Sequence, residues 1–568
     1  MKPTSFLIKT GIEEANLPNY RPVYSDERCS LYVNTYNDKH IQYVCDDEGF
    51  NLFIGEVTRK PTSNFALSTP PGQGTFIKYK KETGQIVITT DRLGSVLVYY
   101  CKDQANNLEV SNRLDNLSTD EKNPDWPAIQ QYLNTGYTIG SSTFFLEVKQ
   151  TLPNQTLTAS SKHAFHIEST TLEPDKTKSM VPYTDEELID ILSERVSTVL
   201  REHIPSVLMM SAGWDSRTLL MSGTQNYLTA YTHGDLSSRE ISISRGLTGG
   251  LRMDHVFSDV RNLDLSSDLL DVMIEELGFC VFPVWYIAGQ RAQSTYNAPL
   301  SSGVLGEFLG GHYGLLSMGT RLQKMLASAS LLNARFIRDE QFSAALERFA
   351  TPAPDHWFLS TEGRDLLADT ATSTKTIIQK KLDSELKRTG SWQSAIEAFN
   401  MEHRARQYIL KQAQAASSTS GYIAPFADDR IAEIIQQIPF DNRVHNKLNQ
   451  KLLKSNHPKL LDYSMAATLI PAKHPIFFQE LSRGARIFFE QCRKLSGLSQ
   501  PKLGWFNYEH LYQTNILNTI TDSLTSTLWD KNRMHSTLER NPENSIDAGS
   551  TLDMLCKLKT LDYYLKAK

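Results

Sequence analysis

The chain has 568 residues, 40% of them hydrophobic and 22% charged, with a formal net charge of −5. At about 150 residues per domain that is too long for one hydrophobic core and implies roughly two to four domains. The composition excludes a disordered or low-complexity protein, and the mild acidity argues against a general affinity for nucleic acid.

The six cysteines, Cys29, Cys45, Cys101, Cys280, Cys492 and Cys556, lie far apart and form no C-x-x-C pair. Neither a zinc site nor a dithiol redox motif is indicated, and scattered thiols suit a reducing cytosol. The first twenty residues, "MKPTSFLIKTGIEEANLPNY", lack the apolar core of a signal peptide. The apolar stretch "GFCVFPVWYIAG" is too short to span a bilayer and is interrupted by Pro283. The expectation is a cytoplasmic protein with no membrane partner.

From about residue 20 to 160, short alternating segments ("LYVNTY", "IQYVC", "TFIKYK", "QIVITT", "SVLVYY") are separated by Gly, Asp and Asn turns and predict a sheet-based domain. Reversals at Glu82 to Gln85 and at "DRLG" predict adjacent antiparallel strands. The polar stretch "ASSKHAFHIESTTLEPDKTKSMVPYT", which has no sustained period and carries Pro182 near its end, is the candidate domain boundary.

Beyond it, Thr184 and Glu187 are placed as a capping box ahead of a helix with Leu188, Ile189, Leu192, Val196, Val199 and Leu200 at helical spacing. Strands and helices then alternate. "SVLMM", "YLTAYTH" and "DHVFSD" read as strands, "SRTLLMSGTQN" and "SSREISISRGLTGG" as helices, which predicts parallel strands joined by helical crossovers. From about 315 the chain reads as mostly helical, with amphipathic runs near 341–349, 364–388 and 396–415.

The turn "SAGWDSR", 211–217, falls where the first parallel strand would end and its helix begin, the place where open parallel sheets bind ligands. Ser211, Ala212 and Gly213 are small enough for backbone N–H groups to approach phosphate oxygens, and Ser211 and Ser216 add hydroxyl donors. A carboxylate in an anion site, Asp215, makes sense when it holds Mg²⁺ against the phosphates. The same residue types also serve as helix caps and tight turns, so composition alone leaves both readings open. The turn lacks the Gly-Lys-Ser/Thr ending of a Walker A loop and the G-x-G-x-x-G pattern of dinucleotide sites.

"SAGWDSR" resembles the S-G-G-x-D-S pyrophosphate loop of ATP pyrophosphatases, and the chain resembles the asparagine synthetase family, which includes β-lactam synthetase and lasso-peptide cyclases. Further segments carry the resemblance in order. "TTDRLGSVLVYY", "LEVSNRLDNL" and "IQQYLNTGYTIGSSTFFLEVKQTLPNQTL" are similar to the family's amidotransferase-like domain, "SSGVLGEFLGGHYG" to its second nucleotide segment, and "APFADDRIAEIIQQIP" to a P-F-L-D helix start. The resemblance implies an α/β protein: a β-rich, amidotransferase-like (Ntn-type) sandwich domain, degenerate class II, at 1–165, and an α/β adenine-nucleotide α-hydrolase-like (ATP pyrophosphatase) domain with extensive helices at 180–568. It also implies ATP and Mg²⁺ as cofactors. Ser211, Ala212, Gly213, Asp215, Ser216 and Arg217 would line the phosphate site, Ser302 and Gly303 would border the adenosine, and Asp215 and Glu307 would hold the metal. Glu307 stands where the family has a second metal-binding Asp, and Lys473 in "TLIPAKHP" corresponds to the family's pyrophosphate-facing lysine, so Glu307 and Lys473 are the candidate catalytic residues.

Two departures bear on the activity. The sequence begins Met1, Lys2, Pro3, Thr4, with no cysteine before Cys29, where glutamine-dependent members carry a terminal cysteine nucleophile. Val304 follows the S-G pair where asparagine-forming members have Glu. Smaller changes are Ala212 for a loop glycine and Arg217 after the D-S pair. The expectation is an ATP-dependent amide-bond-forming ligase without glutaminase activity that adenylates a small-molecule or peptide carboxylate and transfers it to an amine on the substrate, or to free ammonia. The alternative is a catalytically inactive nucleotide-binding or scaffold relative. A homodimer or a biosynthetic partner protein stays open, and a thiolating or tRNA-modifying pyrophosphatase would need a persulfide cysteine or a basic surface that the sequence lacks.

Overall fold

The computed structural model describes residues 5–11, 21–34, 41–57, 72–117, 123–160, 166–171, 184–201, 205–260, 265–314, 356–368, 370–417, 421–496, 514–540 and 548–566, with a few isolated positions between them. The architecture is mixed α/β. The early strands are β1 (Ser5–Thr10), β2 (Arg21–Ser25), β3 (Cys29–Asn34), β4 (Ile41–Asp46), β5 (Gly49–Val57), β6 (Gly72–Lys80), β7 (Gln85–Thr90), β8 (Tyr99–Lys102), β9 (Leu108–Ser111), β10 (Lys149–Gln150), β11 (Gln155–Ser160) and β12 (His166–Thr171). They form two six-stranded sheets, ordered β10-β8-β9-β1-β3-β2 and β12-β11-β7-β6-β5-β4, with antiparallel pairings throughout. Alternation along β7 turns Ile86 and Ile88 onto a shared core with Phe6, Ile8, Leu31 and Val33 of the other sheet.

The sequence predicted adjacent strands on both sides of "DRLG", and here the structure differs. The Glu82–Gln85 reversal does join neighbours, β6 and β7, but the second reversal carries the chain from β7 across to β8 in the other sheet. Asp91 makes that turn: its carboxylate accepts from the Ser95 N–H at 2.8 Å and from the Ser95 hydroxyl, and its carbonyl accepts from Gly94 at 3.1 Å. Val98 then drops fully into the core, so "SVLVYY" becomes a strand only from Tyr99. Of the expected boundary stretch, 161–165 and 172–183 lie outside the described residues, as does the amphipathic run near 341–349.

The capping box forms as predicted: the Glu187 N–H donates to Thr184 Oγ1 at 3.2 Å and the Thr184 N–H to Glu187 Oε2 at 2.7 Å, at the start of α2 (Asp185–Arg201). A second sheet system follows, made of β13 (Ser206–Met209), β14 (Tyr227–Gly234), β15 (His255–Asp259), β16 (Leu300–Ser301) and β17 (Tyr422–Ile423). All its pairings are parallel, in the order β15-β14-β13-β16-β17. The intervening helices are α3 (Trp214–Leu219), α4 (Arg239–Gly250), α5 (Ser267–Leu277) and α6 (Pro283–Tyr296). The chain therefore builds outward from β13 through β14 to β15, then returns to the other side of β13 to lay down β16 and β17. That reversal opens a crevice beyond the carboxyl ends of β13 and β16.

α3 is shorter than the pattern predicted. It runs six residues and gives way to two 3-10 turns, Leu220–Ser222 and Thr224–Asn226, separated by Gly223 at φ 94°. The predicted run 396–415 is helical but not uniform: Trp392–Asn400 leads into a nine-residue π-helix, Met401–Ile409, and then into Leu410–Ala416. One apolar core surrounds the parallel sheet around Val207, Leu208, Leu300 and Phe426. Another joins the two halves of the chain, packing Tyr132 of α1 (Trp126–Thr135) and Phe144 with Cys280, Leu555 and Leu558. Polar contacts reinforce that seam, among them Gln73 Nε2 to the Ala424 carbonyl at 3.0 Å and the Arg92 N–H to Asp429 Oδ1 at 3.0 Å. Among the described residues, no helix is long and apolar enough to cross a membrane.

Candidate functional site

β13 delivers Ser211 to the rim of the crevice, and β16, its parallel neighbour, delivers Ser302. The chain leaves each strand on a small-residue turn, so the two loops meet. An added Cβ at Gly303 would lie 2.5 Å from the Asp215 carbonyl carbon and 2.7 Å from its Cβ. One at Gly306 would lie 2.5 Å from the Asp215 carboxyl carbon and 2.5 Å from Oδ1. Both glycines are therefore required by close approach to one residue, Asp215, and Leu305 between them takes a left-handed conformation at φ 69°.

The loops enclose a cavity of about 230 Å³ lined by Ser211, Asp215, Ser216, Ser302, Gly303 and Glu307, with Val304 and Leu305 as its apolar floor. Within the turn, the Ser211 and Ser216 hydroxyls lie 2.8 Å apart, and Ser216 Oγ donates to the Ser211 carbonyl at 3.0 Å. Burial, and then the charge of Glu307, hold the Asp215 carboxyl well above the ordinary carboxylate range. Glu307 is no solvated loop charge: Tyr313, itself buried, donates its hydroxyl to Oε2 at 2.7 Å. Two partly buried carboxylates that repel one another are a site that gains from a cation. Among the described residues no group of three or more His, Cys, Asp or Glu side chains is placed to hold a metal. A pair of carboxylates with free space beside it fits Mg²⁺, which takes one or two carboxylates and fills its octahedron with water and phosphate oxygens.

Three predicted residues are placed elsewhere. Arg217, expected to line the phosphate site, is fully buried. Its guanidinium donates to the carbonyls of Leu460 at 3.1 Å, Tyr463 at 2.9 Å and Ser464 at 2.8 Å, so it locks the turn to that stretch instead of meeting a ligand. Burial drives its pKa down to about 10. Ala212 is buried beside the cavity without lining it, and its N–H donates to Glu240 Oε1 at 2.6 Å. Lys473 is not brought to the cavity: its ammonium pairs with Asp462 Oδ1 at 2.8 Å, with both side chains more than half exposed. Gly213 precedes α3 as its cap residue, in extended backbone, and its N–H donates to Ser211 Oγ at 3.2 Å.

The structure adds wall residues that motif matching missed. Tyr231, Thr232 and His233 at the end of β14 and Trp285 on α6 line the same cavity. The His233 and Trp285 rings meet edge to face at 4.8 Å, and burial lowers the His233 pKa to about 4, which keeps the imidazole neutral. The available signal was positional: "YTHG" ends a strand parallel to β13, so its last residues reach the same edge. Glu240, near the start of α4, had no such signal. No protein-family model matches the chain, and no curated protein matches it by sequence.

Proposed function

We propose that the protein is an ATP-dependent carbon–nitrogen ligase of the asparagine synthetase-like kind. It combines an adenine-nucleotide α-hydrolase-like domain of the ATP-pyrophosphatase type with an amidotransferase-like domain that has no glutaminase activity. The observation that carries this reading is the pairing of Asp215 and Glu307 on adjacent loops at the strand-order reversal, with the Ser211 and Ser216 hydroxyls beside them. Such a crevice suits a polyanion accompanied by a divalent cation.

In this reading Asp215 and Glu307 would hold Mg²⁺, which would supply charge neutralisation at the phosphates of ATP. Ser211 would donate its hydroxyl to a phosphate oxygen, Ser216 would do so on releasing the Ser211 carbonyl, and Ser302 and Gly303 would border the nucleoside. The flat faces of Trp285 and the neutral His233 suit a purine. A substrate carboxylate oxygen attacks the α-phosphorus and pyrophosphate leaves; an amine then attacks the acyl carbon and AMP leaves. The protein's share is alignment of carboxylate and amine and exclusion of water by the Val304–Leu305 floor. Cys29 is fully buried in β3, and burial pushes its thiol well above the ordinary range, which is wrong for a nucleophile. The amine is then one carried by the substrate, as in lactam or macrolactam formation, or free ammonia. Lys473 receives no role in this scheme.

A second reading, a nucleotide-binding or scaffold protein without turnover, is favoured by one contact: the Ala212 N–H is already taken by the Glu240 carboxylate. Calorimetric titration with Mg-ATP, together with pyrophosphate release in the presence of candidate carboxylates, separates the readings. Binding and release that both vanish in Asp215→Ala support the ligase. Binding without release across a broad set of acids supports the scaffold. Wild type that does not bind Mg-ATP overturns both.

A further inference from the structure

A second and larger cavity, of about 310 Å³, lies at the seam between the two halves of the chain. It is separated from the Asp215–Glu307 crevice by one helical wall. Ile409 and Gln412 face the crevice, while Leu410, Lys411, Ala413 and Gln414 face the seam cavity. Its volume falls at the lower end of the roughly 300–1,000 Å³ range of small-molecule sites.

The Lys411 ammonium is the notable group there. Its Nζ sits 5.6 Å from the Tyr132 ring centroid and 5.1 Å from that of Phe279, held between two aromatic faces. It has neither a hydrogen bond nor a carboxylate partner among the described residues, although an ammonium carries three donors. The other charged groups around the cavity have hydrogen-bond or ion-pair partners of their own. Arg113 is paired with Asp115 and donates to the carbonyls of Glu275 and Glu276, at 2.9 Å each. Glu276 accepts from the Tyr286 hydroxyl at 2.5 Å, and Lys557 pairs with Asp553 at 2.7 Å. Burial lowers the Lys411 pKa to about 8, with the Cys280 thiol opposing it and Lys557 adding to it. A desolvated cation without a counter-charge is costly, and the missing partner is the natural place for a ligand.

We propose that this seam cavity is a binding site for a small monocarboxylate with an aromatic or branched apolar body, its carboxylate anchored on Lys411. A single ammonium without a hydrogen bond, with the nearby arginine already engaged and the Glu276 carboxylate in the same lining, suits a monoanion and not a phosphate dianion. Tyr99, Tyr137, Phe144 and Tyr564 supply the apolar walls. Gln414, three residues on from Lys411 and so on the same helix face, brings an amide donor to the cavity. The site does not depend on the ligase reading, because none of its residues lines the nucleotide crevice.

The test is calorimetric titration of the full chain with benzoate, phenylacetate and 3-methylbutanoate, and with phenylacetamide as the neutral isostere. At least one acid is expected to saturate the site and, for phenylacetate, to bind at least tenfold more tightly than the amide. Lys411→Met is expected to lose at least tenfold in acid affinity, while Asp215→Ala binds the acid as wild type does. A readout on wild type alone guards against a variant that fails to fold: reductive methylation of Lys411, followed by mass spectrometry, should be slowed by the bound acid and unaffected by the amide. No binding by any of the three acids, equal affinity for acid and amide, full affinity in a folded Lys411→Met, or no protection of Lys411 would each overturn the proposal.

Discussion

Gly306 packs against Asp215 so closely that a single added methyl group would lie 2.5 Å from its carboxyl carbon. The position of the first carboxylate is thus set by the backbone of the loop that carries the second. Gly306→Ala should push the loops apart, lowering stability by about 1–3 kcal/mol as overpacking does, and weakening Mg-ATP binding at least tenfold. Gly303→Ala should do more damage, since the atom it meets at 2.5 Å is Asp215 backbone, which no rotamer change can move. Thermal denaturation and calorimetry on the two variants check the order.

Asp215 should trade stability for binding. Its carboxyl is held above the ordinary value by burial and by Glu307, so the folded protein binds a proton more readily than the unfolded chain. Such a group stabilises fully below the unfolded pKa of about 4, and that stabilisation is lost as pH rises through the folded pKa. Asp215→Asn should therefore raise the Tm of the nucleotide-free protein at pH 8 and reduce Mg-ATP affinity at least tenfold. An unchanged Tm would refute the repulsion argument.

The seam carries a second acid pair with a pH signature. Burial, and next the nearby Asp91, push Asp429 up to about 8. By the same sign, stability from this pair is complete below about pH 4 and drains as pH rises to about 8. Denaturation midpoints measured across that window should fall with pH, and Asp429→Asn, which keeps an oxygen to accept from Arg92, should flatten the slope.

Arg217→Met should lower stability by about 3 kcal/mol or more, because it leaves the carbonyls of Leu460, Tyr463 and Ser464 without their buried donor. Lysine is no substitute, since one ammonium cannot reproduce the planar fork. If Arg217 were chiefly a phosphate ligand, the loss would appear in Mg-ATP affinity with Tm intact.

Lys473→Ala removes an exposed pair and should change stability by no more than about 0.5 kcal/mol, with Mg-ATP affinity within threefold of wild type. A loss of binding a hundredfold greater would place Lys473 at the phosphates in the bound state.

Much of the frame was legible because its signals are local. β13, β14, β15 and the α2 capping box follow from period and cap chemistry within a few residues, and the turn with Ser211, Asp215 and Ser216 follows from small residues beside a carboxylate. What could not be read depends on distant partners. Arg217 meets carbonyls more than two hundred positions away, and Ala212 meets Glu240 across the start of α4. No nearby residue announces either contact. The split into two early sheets hinges on the folding of Asp91 onto Ser95, which has the same composition as an ordinary hairpin reversal. The π-helix at Met401–Ile409 shifts hydrogen-bond register without changing the apolar pattern enough to be seen.

The Arg217 contacts also say how this turn can be inherited or transplanted. The strand, turn and helix around 206–219 form a continuous segment, yet the Arg217 guanidinium makes its three shortest hydrogen bonds to carbonyls in 460–464. The Lys473 N–H in turn bonds the Leu461 carbonyl at 2.9 Å. Moving the turn into another protein without that distant stretch would import a buried guanidinium stripped of three of its acceptors. The smallest portable module is thus discontinuous, and recombination breakpoints between residues 220 and 458 should be tolerated only when both ends come from the same parent.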